Sequence, residues 1–401
     1  LFLGFGYSDV EHESSLYTEL IEELSRAGSD IRVVAPALDT SRTGLREEGG
    51  ISVLRVATGR LFEVNLFQKA FNNLLLPIRY FFTLRSQNRG WQPEWIITPT
   101  PPITLTPLVW WLKRKTRARA YLLLRDIFPQ NAVDLGFMSG FGPVYGFFRL
   151  LEKWTYAIAD RIGCMSPGNV RYVIKHNPGI DVSKLNLLPN WIAERHVVSN
   201  LESSENMREE WGVKDSDLLC VFGGNLGKPQ QVSFLLDVAE VLRHESNIRI
   251  VIVGRGTESP MLKDRIKTRQ LDNVVLRDRL ARDAYQKLLA AADVGFILLN
   301  QRFTIPNIPS RLTGYWAAGV AVLAATDTAT DLDEAFLAKY GGGEWVKMGD
   351  VRSLVEKLRS YANKPEMLNK MGERGRQAVL QNFTARQAAE IVLTEMSLAG
   401  S

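Results

Sequence analysis

Strand-like and helix-like segments alternate along the first half of the chain. The apolar run LFLGFGY at residues 1–7 predicts a strand that enters a glycine-containing loop. The segment SSLYTELIEELSRAG places its leucine and isoleucine side chains at helical spacing, and Arg26 and Gly28 are typical of a helix end. The runs DIRVVAPA, EWIIT, RAYLLLRD and RIGCMS predict further strands. This alternation indicates parallel sheets that are covered by helices.

The same alternation begins again after a polar, turn-rich stretch at residues 188–217, which predicts a linker. The strand-like runs LLCVFGGNLG, IRIVIVGRG, NVVLRDRL, VGFILLN and EWVKMGD are interleaved with the helix-like VSFLLDVAEVLRH and RDAYQKLLAAAD. We therefore predict an α/β protein with two doubly wound, Rossmann-like domains, at residues 1–195 and 196–383, and a terminal helix at 384–401. Two such domains facing each other would form a ligand cleft at the carboxyl ends of their strands.

One uncharged run, WIITPTPPITLTPLVWWL at residues 95–112, is long enough to suggest a membrane-spanning helix. It contains several prolines, which exclude a continuous helix because proline lacks the backbone N–H and clashes with the preceding turn. We predict a strand, a proline-rich loop and a helix there.

The composition is that of an ordinary globular protein, with 45% hydrophobic and 23% charged residues. The two cysteines, Cys164 and Cys220, lie far apart in the sequence, which favours a reducing, cytoplasmic compartment. The four histidines form no HExxH or similar cluster, so we expect no metal site.

The positive charge is concentrated in residues 51–150, which hold 13 Lys/Arg against 4 Asp/Glu. The apolar and aromatic run LFQKAFNNLLLPIRYFFTLRSQNRGW is followed there by WWLKRKTRARAYLLL, whose cations are Lys113, Arg114, Lys115, Arg117 and Arg119. One interpretation is a pair of core helices with a solvated basic end. The other is peripheral docking on an anionic membrane face, the cytoplasmic face of the inner membrane. Nucleic acid is not expected as a partner, because no recognised nucleic-acid motif is present.

The segment NIPSRLTGYWAAGVAVLAATD places a cation at the start of an apolar, helix-like run. Pro309 suits the first turn of a helix, so the N–H groups of Ser310, Arg311 and Leu312 are predicted to point out of the helix start. Together with the helix dipole and the charge of Arg311, these groups would form a site for a diphosphate. The alternative is a capped core helix with a surface arginine. A following glycine, Gly319, is predicted to end the helix before the strand VAVLA.

Several motifs, taken in order, resemble those of glycosyltransferase family 4, in particular its bacterial exopolysaccharide, colanic-acid and O-antigen enzymes. PSRLTGYWAAGVAVLA resembles the family's Pro-Ser-Lys-Leu segment, and LRDIFPQNAVDLG resembles its Arg-Asp-Leu/Ile-Trp/Phe-Pro segment. LLPNWI resembles the turn before the family's second domain. FGGNLGKPQQ resembles its Gly-Asn-Leu/Ile-Gly loop, and MGERGRQAVLQNFT resembles its closing helix. The resemblance runs from about residue 1 to 395.

The resemblance implies the GT-B fold and a transfer of sugar from a nucleotide donor to an acceptor hydroxyl, with retained configuration and without metal or cofactor. The first domain would bind the acceptor and the second the donor, with the terminal helix packing back on the first. Without a metal, the leaving diphosphate needs fixed cations and helix N–H groups. Lys228 and Arg311 are the catalytic cations that the resemblance implies.

Donor binding is assigned through the same resemblance to one glycine of the first domain and to the loops of the second. The implied residues are Gly6, Gly224, Asn225, Gly227, Lys228, Arg255, Arg279, Leu280, Asn307, Ser310, Arg311 and Leu312. Arg279 lies where family members often lay the nucleotide base against the backbone. Lys228 and Arg279 could instead be solvated surface side chains.

In the first domain, GYSDVEHES resembles the family's glycine-rich donor–acceptor loop, which makes Gly6, Glu11 and His12 candidates for substrate contact. Ser14 and Ser15 stand where the family carries small glycines.

Asp126 falls near the family's acceptor-side His or Asp and is the third catalytic candidate. It could orient or deprotonate the acceptor hydroxyl. It could equally pair with Arg125 or cap a turn.

The chain departs from the family at two carboxylates that contact the donor, because the corresponding positions are Pro306 and Gly314. Thr304, Asn307 or Thr313 could replace their hydrogen bonds. The usual Arg/Lys pair of the 223–231 loop is likewise changed, to Asn225 and Gln230.

The predicted function is transfer of a hexose, with glucose as the guess, from a UDP-sugar to a saccharide acceptor, lipid-linked, in exopolysaccharide or cell-envelope polysaccharide synthesis. The alternatives are a GT-B epimerase of UDP-sugars and a catalytically degenerate protein that binds a nucleotide sugar or a partner enzyme.

Overall fold

The computed structural model describes residues 1–5, 7, 15–37, 43–59, 66–87, 90–197 and 205–399. It divides the chain into two compact units, Leu1–Pro189 with Ala385–Ser401, and Asn190–Thr384. The sequence predicts these boundaries at residues 195 and 383.

In the described part of the first unit, eight strands form one sheet: β1 (Phe2–Leu3), β2 (Arg32–Pro36), β3 (Gly44–Glu48), β4 (Ile51–Val56), β5 (Trp95–Thr100), β6 (Arg119–Leu124), β7 (Arg161–Cys164) and β8 (Leu185–Leu187). The helices are α1 (Leu16–Arg26), α2 (Leu66–Gln87), α3 (Thr106–Thr116), α4 (Gln130–Asp134), α5 (Pro143–Ile158), α6 (Pro167–His176) and α15 (Ala385–Leu398). The strand order is β3-β4-β2-β1-β5-β6-β7-β8, with β1 at the point where the winding reverses.

In the second unit, six described strands form the other sheet: β9 (Leu218–Asn225), β10 (Ile248–Arg255), β11 (Val274–Arg277), β12 (Val294–Leu298), β13 (Ala321–Thr326) and β14 (Gly343–Lys347). Its helices are α7 (Glu205–Glu210), α8 (Ser233–Val241), α9 (Ser259–Arg269), α10 (Arg282–Ala291), α11 (Arg311–Ala317), α12 (Glu334–Tyr340), α13 (Val351–Ala362) and α14 (Pro365–Asn382). The order β11-β10-β9-β12-β13-β14 reverses between β9 and β12, which is where open α/β sheets bind ligands.

Both units have the predicted α/β architecture, with helices covering largely parallel sheets. The core of the second unit consists of two clusters of buried aliphatic and aromatic side chains, one on each face of its sheet. The terminal helix α15 lies in the first unit, where it packs against α1. Arg161 beside it contacts the Glu395 carboxylate at 3.3 Å.

One pair of strands departs from the predicted parallel pairing. β3 and β4 run antiparallel through a two-residue turn at Gly49 and Gly50, whose φ angles are +57° and +78°. Two adjacent residues with positive φ give the turn whose twist suits a hairpin, and glycine adopts that backbone without steric cost. The Gly-Gly pair was the sequence signal for this hairpin.

The predicted linker is also partly wrong, because helix α7 lies within it. Arg208 of this helix is buried and donates to the Ala291 carbonyl at 2.7 Å, and it contacts the Asp293 carboxylate at 3.2 Å. Trp211 is buried in the second core. Residues 205–217 therefore belong to the fold of the second unit.

The uncharged run at 95–112 is confirmed as a strand, a proline-rich turn and a helix, namely β5, a short 3₁₀ turn and the start of α3. Among the described residues, no helix combines the length and hydropathy needed to cross a bilayer.

Candidate functional site

The carboxyl ends of β9 and β10 form a tightly packed glycine-rich edge. A Cβ atom on Gly254 would lie 1.8 Å from the Gly224 carbonyl oxygen, and one on Gly256 would lie 2.2 Å from the Leu226 carbonyl oxygen. Gly224 itself has a φ of +133°, a conformation that L side chains rarely adopt. The glycines are therefore needed for two neighbouring loops to pack backbone against backbone at this edge.

Arg311, the first residue of α11, lies against the same edge. Its guanidinium carbon is 4.5 Å from the centroid of the Phe222 ring, and a Cβ on Gly224 would lie only 2.7 Å from its Nη2. The side chain is half-buried, and its buried Nη1 has no hydrogen-bond partner among the described residues. The fold thus holds a guanidinium with an unused donor where β9 ends.

The predicted helix start is shifted by one to two residues, since α11 begins at Arg311 with Ser310 as its N-cap. The N–H of Leu312 donates to the Pro309 carbonyl at 3.1 Å, and the Leu312 side chain lies in the core. The prediction of a free N–H at Leu312 is therefore wrong. Ser310 is exposed at the helix start. The helix ends at Ala317, with Gly319 (φ +71°) before β13, as predicted.

The turn after β9 carries the other loop candidates. Asn225 ends β9 and is exposed, and Gly227 precedes a short 3₁₀ turn that starts at Lys228. The Asn300 side chain donates to the Lys228 carbonyl at 2.8 Å, and its N–H donates to the Pro229 carbonyl at 2.8 Å. The Lys228 backbone is thus fixed by the segment after β12, while its side chain stays exposed.

The remaining candidates of the second unit are mostly at its surface. Arg255 and Arg279 are exposed, and Arg255 makes a 3.6 Å ion pair with the exposed Asp278. Leu280 is half-buried against the core. The Asn307 carbonyl accepts a hydrogen bond from the Thr330 hydroxyl.

The buried Tyr315 and the half-buried Tyr285 support the edge, and neither tyrosine was among the residues predicted from the sequence. The Tyr315 hydroxyl accepts from the Gly223 N–H at 3.1 Å and donates to the Val221 carbonyl at 3.3 Å. Tyr285 forms a further hydrogen bond to Tyr315, and burial raises the pKa of both phenols. The sequence signal that could have pointed to Tyr315 is its spacing, because it follows Arg311 by one turn of the predicted helix.

The positions of the two absent carboxylates differ in their surroundings. A Cβ atom on Gly314 would meet nothing within 4 Å, whereas Pro306 is buried. Of the suggested replacements, Thr313 is buried and its hydroxyl donates to the Ser310 carbonyl at 2.8 Å, while Thr304 is exposed. The Thr313 hydroxyl is therefore already used within the helix start.

The Gln230 side chain, which replaces a cation of the family loop, has a buried Oε1 with no hydrogen-bond partner among the described residues. Where the family loop carries a cation, Gln230 therefore places an uncharged amide whose oxygen has no partner among the described residues.

In the first unit, Asp126 follows β6 by two residues. Its Oδ1 accepts from the Ile127 N–H at 2.9 Å and its Oδ2 from the Asn131 side-chain amide, so it caps the turn that leads into α4. Burial raises the pKa of Asp126 to about 6, although these two hydrogen bonds act in the opposite direction. The carboxyl thus titrates close to neutral pH, as a general base requires.

Arg125 lies beside Asp126 but has a different partner. Its Nη2 donates to the Leu188 carbonyl at 2.9 Å, and burial lowers its pKa to about 10. Tyr17 of α1 interacts electrostatically with both Arg125 and Asp126, and burial raises its pKa to about 12. The carboxylate therefore functions as a turn cap in a cationic and aromatic neighbourhood.

The candidates Gly6, Glu11 and His12 lie outside the described residues. Ser15, which stands where the family carries a glycine, is the N-cap of α1; its hydroxyl accepts from the Thr18 N–H at 3.2 Å. Within the described ranges, no three His, Cys, Asp or Glu side chains cluster as metal ligands would.

Two family models match the chain. The model for glycosyl transferases group 1 matches residues 203–378, and that for the glycosyl transferase 4-like domain matches residues 17–191. Among curated proteins, the chain is 24% identical over 375 residues to WcaI of Escherichia coli strain K12, named as a colanic acid biosynthesis glycosyl transferase. That alignment covers 90% of this chain and 91% of WcaI. The present chain is also 23% identical over 259 residues to WbjE of Pseudomonas aeruginosa, named as a glycosyltransferase. That alignment covers 63% of this chain and 62% of WbjE.

Solved structures share the fold at low sequence identity. Sucrose-phosphate synthase from Thermosynechococcus elongatus aligns with a TM-score of 0.77 at 14% identity, covering 100% of this chain and 99% of that one. HepE from Anabaena, solved in complex with UDP-glucose, aligns with a TM-score of 0.70 at 13% identity and 99% coverage of both chains. The lipopolysaccharide-biosynthesis glycosyltransferase WaaG aligns with a TM-score of 0.71 at 14% identity and 98% coverage of both chains. The chain therefore has the GT-B fold, and each of its halves matches a family model of glycosyltransferases, which identifies it as a glycosyltransferase.

Proposed function

We propose that the chain transfers glucose from UDP-glucose to a lipid-linked saccharide, with retained configuration and without a metal ion. The observation that carries this proposal is the half-buried Arg311 guanidinium, whose Nη1 has no partner among the described residues and which lies against Gly224. A diphosphate that leaves without a metal needs such a fixed donor, and a guanidinium can bind two phosphate oxygens at once. Lys228 would add a second cation from the neighbouring turn, where its side chain is exposed.

The choice of donor rests on related proteins. HepE from Anabaena has been solved with UDP and with UDP-glucose. WcaI carries colanic acid biosynthesis in its name, which favours a cell-envelope or exopolysaccharide product for this chain. We propose a UDP-glucose donor and a cell-envelope or exopolysaccharide product for the present protein on these grounds.

Asp126 is proposed to act on the acceptor. The acceptor oxygen would bond to the anomeric carbon as the bond from that carbon to UDP breaks, and the proton of the acceptor hydroxyl would pass to the carboxylate. The raised pKa of Asp126, about 6, suits this proton transfer at neutral pH. A lipid-linked acceptor would place the reaction at the cytoplasmic face of the inner membrane.

The test is incubation of the protein with UDP-glucose in EDTA, followed by proton NMR. We expect slow release of UDP together with α-glucose as the first sugar product, because a retaining enzyme that uses water as acceptor keeps the anomeric configuration. Release of β-glucose would contradict retention, and activity only with added Mg²⁺ would contradict metal independence.

The absent carboxylates at positions 306 and 314 motivate a second candidate, a protein that binds a nucleotide sugar without transferring it. Tight binding of UDP without turnover of any UDP-sugar would favour that candidate. A new UDP-sugar formed without acceptor would instead favour the epimerase.

A further inference from the structure

Three helices of the first unit, α2, α3 and α5, pack side by side along one surface. Phe81 of α2 contacts Trp111 of α3 with ring centroids 4.7 Å apart, and Trp110 of α3 contacts Trp154 of α5 at 6.1 Å. The inner sides of α2 and α3 lie in the core of the unit. Their outer sides therefore form a continuous outer surface together with α5.

The outer side of α2 is apolar. Phe71, Leu74, Ile78 and Phe82 recur at intervals of three or four residues, which places them on one stripe of the helix. All four are exposed, with 61% of Phe71 and 64% of Phe82 accessible. A water-exposed stripe of this kind is unfavourable unless another surface covers it.

The neighbouring helices continue the apolar surface. Val144, Phe147 and Leu150 are exposed along α5, and 68% of Leu150 is accessible. Trp110 of α3 is partly exposed between the two outer helices. The three helices thus present aromatic and aliphatic side chains together.

The charges on this surface are positive. Arg114 lies 4.4 Å above the Trp110 ring and Lys115 lies 4.9 Å above the Trp111 ring, and both side chains are exposed. Arg85 extends the apolar stripe of α2 and is also exposed. Neither α2 nor α3 contains an acidic residue, and the one acid of α5, Glu152, is buried and paired with Arg149.

Two cations of the basic run have other contacts. Lys113 forms an ion pair with Asp160, and the half-buried Arg119 lies 5.9 Å from the Trp95 ring. The predicted solvated basic end therefore includes the exposed Arg114, Lys115 and Arg117, but not Lys113 and Arg119. Arg114 and Lys115 are the exposed cations that α3 itself contributes.

We propose that this aromatic–basic face, the outer sides of α2, α3 and α5, docks on the surface of a bilayer that contains anionic lipid. Exposed aromatic and aliphatic side chains would enter the boundary between headgroups and acyl chains, and Arg85, Arg114 and Lys115 would contact the anionic headgroups. A second copy of the chain fits less well, because it would bring two positive faces together. The inference deepens the proposed function, since a lipid-linked acceptor is presented at such a surface.

The first experiment is sedimentation of the full chain with vesicles of phosphatidylcholine alone or mixed equally with phosphatidylglycerol. We expect binding to the anionic vesicles, and a partition coefficient lowered roughly 30-fold in Arg114→Gln/Lys115→Gln. The matched control Lys263→Gln/Lys267→Gln removes two exposed cations from α9 of the second unit and should bind as the wild type does. Failure of the wild type to bind anionic vesicles, or equal losses in both double variants, would overturn the proposal.

The second variant tests the apolar contribution. Leu74→Gln/Ile78→Gln/Phe82→Gln alters exposed side chains, so the fold should survive, and we expect at least a tenfold loss of vesicle binding. The control Ile174→Gln/Val241→Gln changes exposed apolar residues elsewhere and should bind normally. A concentration-dependent dimer that the triple variant abolishes would assign the face to a second copy instead. UDP affinity is measured in every variant, so that failure of the docking proposal is distinguished from failure of the donor site.

Discussion

Arg311 is the residue on which the proposed donor site depends. Its guanidinium is held against Phe222 and Gly224 before any ligand arrives, so little ordering is needed when a diphosphate binds. A lysine in its place would keep the charge but lose the planar fork and the contact with the aromatic ring.

Replacing Arg311 with alanine should weaken UDP binding by about 2 kcal/mol, or roughly 30-fold, because a charge-assisted contact is lost. The UDP affinity of Arg311→Lys should lie between those of the wild type and Arg311→Ala. The measurement is calorimetric titration with UDP, and Arg265→Ala, which removes an exposed arginine of α9, serves as the matched control. An Arg311→Ala protein that binds UDP as tightly as the control would remove this residue from the phosphate site.

Asp126 makes a prediction about pH. Because burial raises its pKa to about 6, the carboxylate form becomes scarce as the pH falls below that value, and kcat/KM for transfer should drop about tenfold per pH unit there. The same shift means that ionising Asp126 costs stability above about pH 6, a cost that is absent below pH 3.8. A pH–rate profile measured in EDTA checks the expected fall of kcat/KM below pH 6.

Asp126→Asn should preserve UDP affinity and lower transfer by about 100-fold or more, with loss of the acid limb of the profile. Asp134→Asn, at the end of α4 in the same unit, is the control. Wild-type turnover in the Asp126→Asn protein would leave Asp126 as a turn cap only.

At the scale of elements, α11 links the candidate site to the sheet. Arg311 and Tyr315 lie one turn apart on this helix, and Tyr315 fixes the Gly223 N–H that precedes Gly224. Tyr315→Phe would leave that buried N–H without its acceptor, at a cost of about 1–3 kcal/mol. We therefore expect a lower thermal midpoint and faster hydrogen exchange of the Gly223 amide.

Tyr285→Phe is the matched control for that change, because the Gly223 N–H keeps its acceptor when the Tyr285 hydroxyl is removed. Its loss of stability should be smaller. Equal effects of the two substitutions would show that the hydroxyl pair acts through packing and not through the Gly223 hydrogen bond.

Elements with a strong local signal could be predicted from the sequence. Helix α1 has its amphipathic spacing and a serine N-cap, and the prolines of the run at 95–112 separate a strand from a helix. Helix α7 was missed because its polar sequence is typical of a loop. Its order comes from the buried Arg208, whose partners Ala291 and Asp293 are more than eighty residues away.

The candidate site shows the same division. The glycines of the β9 turn and Arg311 could be proposed as site residues from the sequence, because each lies within a short, recognisable motif. The free N–H at Leu312 was wrong because a turn hydrogen bond to Pro309 competes for it. Asn131, which holds the Asp126 carboxylate, carries no motif, and only the turn geometry places it there.

At the scale of the molecule, the residues with proposed roles are divided between the two units. The second unit has the glycine-rich edge and Arg311, while the first has Asp126 and the aromatic–basic face. The net charge of +5 conceals this difference, because residues 51–150 hold 13 Lys/Arg against 4 Asp/Glu and the rest of the chain holds 36 against 40. The positive charge therefore belongs to the unit for which we propose a membrane surface.

The most direct test of the central claim is calorimetric titration of the full chain with UDP, GDP and ADP in EDTA. A site built from Arg311, the β9 turn and no metal should bind UDP with a Kd in the range of roughly 1 μM to 1 mM, where the KM values of most enzymes fall, and should bind GDP and ADP more weakly. Binding of none of the three, or binding of UDP only after Mg²⁺ is added, would contradict the account.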